Sequence, residues 1–276
     1  MRAALLQMTA GEDPTANREV LLEAVAEAAG GGADMLLTPE VSNCLSSSRA
    51  HQRDVLALEA HDQTLMAVRE AARAAGLWVL IGSLALKTED ADGRFANRSF
   101  MIDAGGEVRA RYDKIHMFDV ALSETESYRE SAGYRPGTEA VTVDTPWATF
   151  GLSICYDLRF ASLYRVLAQA GARVLTVPAA FAVPTGIAHW HTLLRARAIE
   201  TGCFVLAPAQ VGAHGGGSGA LRQTYGHALA VSPWGEVLLD AGTAPGLSFV
   251  DLDLSAVDDA RRRVPSLTHD RVFSGP

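Results

Sequence analysis

The chain has 276 residues, 48% of them hydrophobic and 20% charged, which excludes a disordered or fibrous chain and allows one large core or two small ones. A net charge of −8 speaks against nucleic acid or an anionic membrane as the main partner. Cys44, Cys155 and Cys203 make no disulfide framework and are wrongly spaced for a zinc cage. No run is apolar for long enough to span a membrane, and MRAALLQMTA lacks the length and cleavage site of a signal peptide, so the expected setting is a reducing cytoplasm. In that setting the Asn97-Arg98-Ser99 sequon is accidental, and the arginines of ARRRVP at 260–265 read as a helix end.

Taken in order, MRAALLQMTA begins as a strand. Asp13 and Pro14 then pair as N-cap and first helical residue, and ANREVLLEAVAEAAGGG has apolar residues at helical spacing before its closing glycines. ADMLLTPE predicts a buried strand whose polar end is Glu40. The polar segment 41–53 reads as a loop. Residues 59–76 predict a helix closed by Gly76, followed by the strand LWVLIGSLALK. RSFMIDAGGEVRARYDK predicts a hairpin turning at Ala104–Glu107, with Lys114 ending its second arm. Residues 115–140 carry little periodicity, and a loop that long in a compact fold is often functional. AVTVDTPWATFGLSIC supplies two strands. A helix, the strand ARVLTVPAAF, the helix HWHTLLRARAIETG and the strand CFVLAPAQV follow. HGGGSG at 214–219 reads as a flexible loop, HALAVSPWGEVLLDAG as a hairpin, GLSFVDLDL as a last strand, SAVDDARRRVP as a short helix, and the tail as extended. Helices alternate with apolar strands while hairpins interrupt the rhythm. That predicts an α/β chain with mixed sheet inside and helices outside, and without repeat or linker it predicts a single domain over 1–276.

The segment GLSICYDLRF carries the sharpest chemical signal. A strand ending at Cys155 and running into helix-like sequence would set a thiol against a helix N-terminus, whose partial positive charge favours thiolate and a developing oxyanion. A buried cysteine is also often only a small hydrophobe. Glu40, Lys114 and Cys155 each close an apolar strand, and strand ends are where sites gather in α/β sheets. Together a carboxylate base, an ammonium and a thiol form a complete set for nucleophilic attack on a carbonyl. Taken singly, Glu40 and Lys114 read as solvated strand ends.

TPE at 38–40, YDKIHMFD at 112–119 and SICYDLRF at 153–160, in this order and spacing, resemble the nitrilase (carbon–nitrogen hydrolase) superfamily. The similarity continues through TVPAAF, GIAHWHTLLRARAIETGC, YGH at 225–227 and SPWGE, and so covers nearly the whole chain. It implies an α-β-β-α sandwich. It also implies a triad of Glu40 as general base, Lys114 as oxyanion stabiliser and Cys155 as nucleophile, with Glu130 as the second glutamate that orients lysine and substrate. The backbone N–H of Tyr156 joins Lys114 in the oxyanion site, and Tyr156 and Phe181 contact the substrate. The implied reaction passes through a thioester, needs an amide substrate and water, and uses no metal or organic cofactor. Dimers or larger homo-oligomers are the implied assembly.

Within the superfamily the sequence is similar to the branch of deaminated-glutathione amidase and ω-amidase, whose substrates carry a free carboxylate beside the amide. A nitrilase or N-carbamoyl amino acid hydrolase would use the same triad, and a non-enzymatic scaffold would have no need to keep it. Ala161 where proline is usual, PAAF for PSAF and GIAHW for GPAHW depart from the family pattern without touching the triad. Other motifs lead nowhere. HGGGSG lacks the Gly-x-Ser-x-Gly partner of lipases. His189 and His191 stand at i and i+2, which do not share a helix face for joint metal ligation. A Cys155 dyad with His116 or His227 is a distant alternative to the Glu-Lys pattern.

Overall fold

Apolar side chains on both faces of the same strands dictate the layering. The computed structural model describes residues 1–122, 127–215 and 222–276. From the N-terminus come β1 (Arg2–Gln7), α1 (Pro14–Gly30), β2 (Met35–Leu37), α2 (Arg49–Val55), α3 (Gln63–Ala75), β3 (Trp78–Leu86), β4 (Ala96–Ile102) and β5 (Val108–Asp113). A small hairpin, β6 (Asp119–Ala121) and β7 (Ser127–Arg129), leads to β8 (Thr142–Asp144), β9 (Thr149–Leu152), α4 (Ala161–Gln169), β10 (Val174–Thr176) and α5 (Val183–Thr201). The chain finishes with β11 (Phe204–Ala207), β12 (Val211–His214), β13 (Arg222–Tyr225), β14 (Leu229–Val231), β15 (Val237–Asp240), β16 (Gly246–Asp251) and α6 (Ser255–Arg263).

One six-stranded sheet runs β16-β1-β2-β3-β4-β5 and the other β15-β14-β11-β10-β9-β8, each parallel in the middle and antiparallel at its edges. The period of two splits the first sheet cleanly. Ala3, Leu5, Leu37, Leu80 and Met101 join Phe150, Leu152 and Val174 of the second sheet in one core. Their neighbours Ala4, Leu6, Leu36, Val79, Ile81 and Phe100 join Leu21 and Val25 of α1 and Leu65 and Val68 of α3 in another. The first core continues to Leu167 of α4 and to Trp190 and Leu194 of α5. The result is the α-β-β-α sandwich. Each fully buried leucine contributes roughly 1.5–3 kcal/mol, so slipping β2 by one residue would merely exchange two apolar faces, and the register must be fixed elsewhere. Gly82 helps fix it. A Cβ there would meet the Thr38 carbonyl oxygen at 1.9 Å, so only glycine lets the chain after β2 cross β3 this closely.

Local chemistry sets most element ends. Asp13 accepts from the Thr15 N–H at 2.8 Å ahead of Pro14, and Gly76 takes φ +63° beyond α3. Several boundaries differ from expectation. The helix expected at 59–76 is a separate 3₁₀ turn at Glu59–His61 and then α3, because the buried Asp62 carboxylate caps Leu65 N–H at 2.8 Å and starts the helix there. The polar stretch 41–53 contains most of α2, capped by Ser48. The long segment 115–140 holds the β6–β7 hairpin and a 3₁₀ turn, Glu130–Ala132. α5 starts at Val183, six residues before the expected His189, with Pro184 in its first turn. Most of HGGGSG lies outside the described residues.

Candidate active site

Three strand ends converge between the sheets. Glu40 lies three residues beyond β2, Lys114 follows β5 directly, and Cys155 lies three residues beyond β9. Lys114 Nζ donates to Glu40 Oε1 at 2.8 Å and to both Glu130 oxygens at 2.9 and 3.0 Å. Its side chain is 2% exposed, so the ammonium is cut off from bulk water and held by these two carboxylates. Burial alone would push Lys114 down, but Glu130 and Glu40 outweigh it and hold the ammonium well above its ordinary range. Burial pushes Glu40 up, yet the charge of Lys114 and its hydrogen bond leave that carboxyl below its usual range. Every oxygen is occupied. Glu40 Oε2 accepts from Ala180 N–H at 2.9 Å, and Glu130 Oε2 accepts from Phe118 N–H at 2.6 Å.

Cys155 stands at φ +49°, in the left-handed region that a residue with a Cβ rarely occupies. Its N–H donates to Pro178 O at 2.9 Å, and Asp157 anchors the turn from below. That carboxylate is fully buried and accepts from Ile154 N–H, His116 N–H and the Tyr112 hydroxyl at 2.9, 3.0 and 2.7 Å. The helix expected directly after Cys155 is corrected here. Cys155–Arg159 is a 3₁₀ turn, and α4 begins only at Ala161. The expected bias toward thiolate fails with it. Burial and then the neighbouring Glu40 carboxylate push the Cys155 thiol up, and Lys114 pulls it only partly back. At rest Cys155 is therefore a thiol beside an ionised Glu40. The first turn still leaves donors. Cys155 N–H is taken by Pro178, and the next N–H, that of Tyr156, belongs to the first turn, whose N–H groups have no carbonyl acceptor earlier in the same helix.

A cavity of about 610 Å³ opens over these groups, within the range of small-ligand sites. Glu40, Lys114, Glu130, Cys155, Tyr156 and Phe181 all line it. Phe181 is buried against Trp190, with ring centres 4.9 Å apart, and Tyr156 meets Phe118 edge-on at 5.2 Å. Arg49, Arg129 and Arg222 also line the cavity, and among the described residues none of them is paired with a carboxylate. With Lys114 that makes four cationic side chains against the two glutamates. The histidine alternatives do not assemble. His116 Nδ1 lies 2.7 Å from Asp157 and its ring stacks on Phe160, while His227 Nδ1 lies 2.8 Å from Asp240.

One member was missed from sequence. Asn97 Nδ2 donates to Glu40 Oε1 at 2.9 Å and to Glu130 Oε1 at 3.3 Å, bridging the two acids. Its backbone carbonyl accepts from Lys114 N–H at 3.0 Å, so the strand pairing of β4 with the end of β5 aligns the two side chains. Nothing local singled it out, since Arg98 and Ser99 beside it in β4 are polar too.

Comparison with known proteins agrees with this architecture. The carbon–nitrogen hydrolase family model matches residues 2–262. A deaminated glutathione amidase of Yersinia enterocolitica is 38% identical over 273 residues, covering 98% of this chain and 93% of that protein. The crystal structure of the Caenorhabditis elegans NitFhit protein superposes with a TM-score of 0.87 at 36% identity, over 98% of this chain and 65% of that longer one. Saccharomyces cerevisiae Nit3, a member of branch 10 of the nitrilase superfamily, superposes with a TM-score of 0.86 at 25% identity, over 99% of this chain and 97% of that one.

Proposed function

Because the chain belongs to the carbon–nitrogen hydrolase family, and so hydrolyses amide bonds, we propose that Cys155, Glu40, Lys114 and Glu130 carry out that reaction on a small amide bearing a free carboxylate, of the deaminated glutathione type. The observation that carries the residue assignment is the buried ammonium of Lys114 bridging two carboxylates beside a thiol at the floor of the cavity. Glu40 takes the thiol proton as Cys155 attacks the amide carbon. Lys114 and the Tyr156 N–H face the oxyanion, which stabilises it most where water is excluded. Glu40 then protonates the leaving amine, and a thioester remains. Glu40 next removes a proton from water, whose oxygen attacks the thioester carbon; the C–S bond breaks, the acid is freed, and Glu40 returns the proton to the Cys155 sulfur. Glu130 holds Lys114 in place throughout, and Asn97 positions both acids.

The substrate class rests on charge. Three arginines without carboxylate partners among the described residues surround a neutral thiol, which suits an anionic amide. It also rests on the relatives that carry the deaminated glutathione amidase name. The test compares kcat/KM for deaminated glutathione, 2-oxoglutaramate and an uncharged amide of similar length. The first should be strongly preferred. Preference for the second moves the assignment to ω-amidase, and preference for the uncharged amide overturns the carboxylate requirement.

Residues 1–276 act as one catalytic unit in this reading, since β16 closes the sheet against β1. Homodimers or larger homo-oligomers assemble through the outer faces of α4 and α5, where Val166 and Ile199 are about half exposed, which light scattering would check. No described helix is long and apolar enough to cross a membrane. Three free, buried cysteines fit a reducing cytoplasm.

A further inference from the structure

Two histidines that the sequence offers separately meet away from the residues that line the catalytic cavity. His191 lies on α5, His227 between β13 and β14, and Asp240 at the end of β15. His191 Nε2 is 2.9 Å from Asp240 Oδ2, and His227 Nδ1 is 2.8 Å from Asp240 Oδ1. One ligand atom from each residue lies within 4.8 Å of the others. We infer that His191, His227 and Asp240 form a binding site for a divalent transition metal ion of the zinc and nickel type, separate from the catalytic cavity.

The donor set is the first argument. Two imidazoles and one carboxylate suit borderline metals, and three protein ligands with a fourth position open to water form a common zinc arrangement. Geometry is the second. Tetrahedral ligand atoms about 2.0–2.1 Å from zinc stand roughly 3.3 Å apart. The two nitrogen–oxygen contacts, at 2.9 Å to Oδ2 and 2.8 Å to Oδ1 of Asp240, are hydrogen bonds that open by about half an ångström when zinc enters, and the ligand atoms, all within 4.8 Å of one another, need only small movements to reach that spacing. A ring nitrogen that donates to Asp240 binds the metal once its proton has moved to the other ring nitrogen or to water.

Pre-organisation is the third argument, because metal sites depend on the groups that hold their ligands. The Tyr225 ring stacks on His227 with centres 4.4 Å apart. His227 O accepts from Trp190 Nε1, and its N–H donates to Gly242 O, both at 2.8 Å. Asp240 Oδ1 accepts from Gly242 N–H at 2.9 Å. His227 keeps φ +55° within this frame, a strained conformation held by its surroundings. The three side chains are between about one-fifth and one-third exposed, enough for an ion to enter. His189 takes no part, since its Nδ1 lies 3.3 Å from Arg159 Nη1. The HxH pair is therefore not a joint site, but one of its members is half of another. A bound ion would clip α5, whose first turn lines the catalytic cavity, to the β14–β15 hairpin.

The test uses tag-free, full-length protein carrying Cys155→Ala, which removes the competing thiol beside Glu40. After treatment with a chelator and desalting, it is titrated with Zn²⁺ by calorimetry. The expected result is one site with a dissociation constant on the order of 10 μM or tighter. His191→Ala and Asp240→Ala should each weaken binding by at least about tenfold, while His189→Ala leaves it unchanged. Zn²⁺ should raise Tm in the parent and not in His191→Ala, since only binding to the folded state stabilises it. Circular dichroism establishes that the variants are folded. Absence of saturable binding overturns the inference, as does binding that both His191→Ala and Asp240→Ala leave intact. Because the readout is binding, its failure says nothing against the amidase reading.

Discussion

Cys44 and Cys155 line the same cavity from different walls, and their surroundings differ in one respect that matters. Both thiols are buried, and burial pushes both up, Cys44 to about 12 with further help from Glu12 and Asp13. Cys44 Sγ donates to the Glu12 carbonyl oxygen at 3.4 Å. Among the described residues no ammonium stands beside it as Lys114 stands beside Cys155. A depressed thiol pKa therefore does not mark the nucleophile here. On the proposed assignment, what marks it is an ionised base beside it and a cation placed where negative charge will develop.

The sharpest way to break this comparison is to delete each sulfur. Cys155→Ala should lower kcat by at least about 10⁴-fold, as loss of a nucleophile that works as part of a unit does. Cys44→Ala should leave kcat within a few-fold, because its side chain touches no reacting atom. Equal losses would sink the assignment of Cys155. The resting thiol adds a pH signature. With Cys155 held protonated by burial and Glu40, alkylation of the free enzyme by iodoacetamide should climb steadily from pH 7 to 9. Over the same range kcat/KM should stay flat, since Glu40 removes the proton within the substrate complex. Alkylation that is already maximal at pH 7 would show a resting thiolate instead.

The next largest effects concern the base and its support. Glu40→Gln should cost on the order of 10²- to 10⁴-fold in kcat, the usual range for a general base. Asn97→Leu removes a donor shared by both acids and should cost about 10- to 100-fold, matching about 1.5–3 kcal/mol for a hydrogen bond to a charged group. Its pH profile separates positioning from mere structure. Glu40 must be ionised to accept the proton, and its folded pKa is depressed, so the acid limb of kcat/KM should lie below the ordinary carboxylate value of 4.5. A donor to the ionised form lowers the pKa, so losing Asn97 should move that limb upward. An acid limb that stays put in Asn97→Leu would make Asn97 structural only.

These residues also mark how far sequence can be read. The meeting of Glu40, Lys114 and Cys155 was legible because each follows a strand, Glu40 and Cys155 after apolar runs and Lys114 after the alternating VRARYD, and a strand end has few destinations in an α/β sandwich. Glu130 was legible only through family resemblance, since nothing local distinguishes YRES from a solvated loop. The 3₁₀ turn after Cys155 was not legible. It depends on Asp157 gathering bonds from Tyr112 and His116, which lie about forty residues earlier in the chain. Asn97 was hidden for the same reason, because its partners lie 57 and 33 residues away. The meeting of His191, His227 and Asp240 required three elements to be placed at once, which no spacing rule supplies.

The smallest expected effect tests what the cavity recognises rather than what it does. Arg222 Nη2 donates to the Ala180 carbonyl oxygen at 2.6 Å, and Ala180 N–H in turn binds Glu40. The guanidinium is thus fixed one peptide away from the base, beside the Tyr128 ring at 5.5 Å, and its charge helps keep Glu40 ionised. Its Nε is buried without a hydrogen-bond partner among the described residues, a cost accepted where a cation is wanted. Arg222→Gln keeps a donor for Ala180 and removes the charge. KM for a carboxylate-bearing amide should rise about tenfold, in line with a partly solvated charged contact, while kcat changes little. An uncharged amide should show no change in KM. If both substrates lose equally, Arg222 acts on Glu40 and not on the substrate, and the carboxylate is then held by Arg49 or Arg129, which line the same cavity.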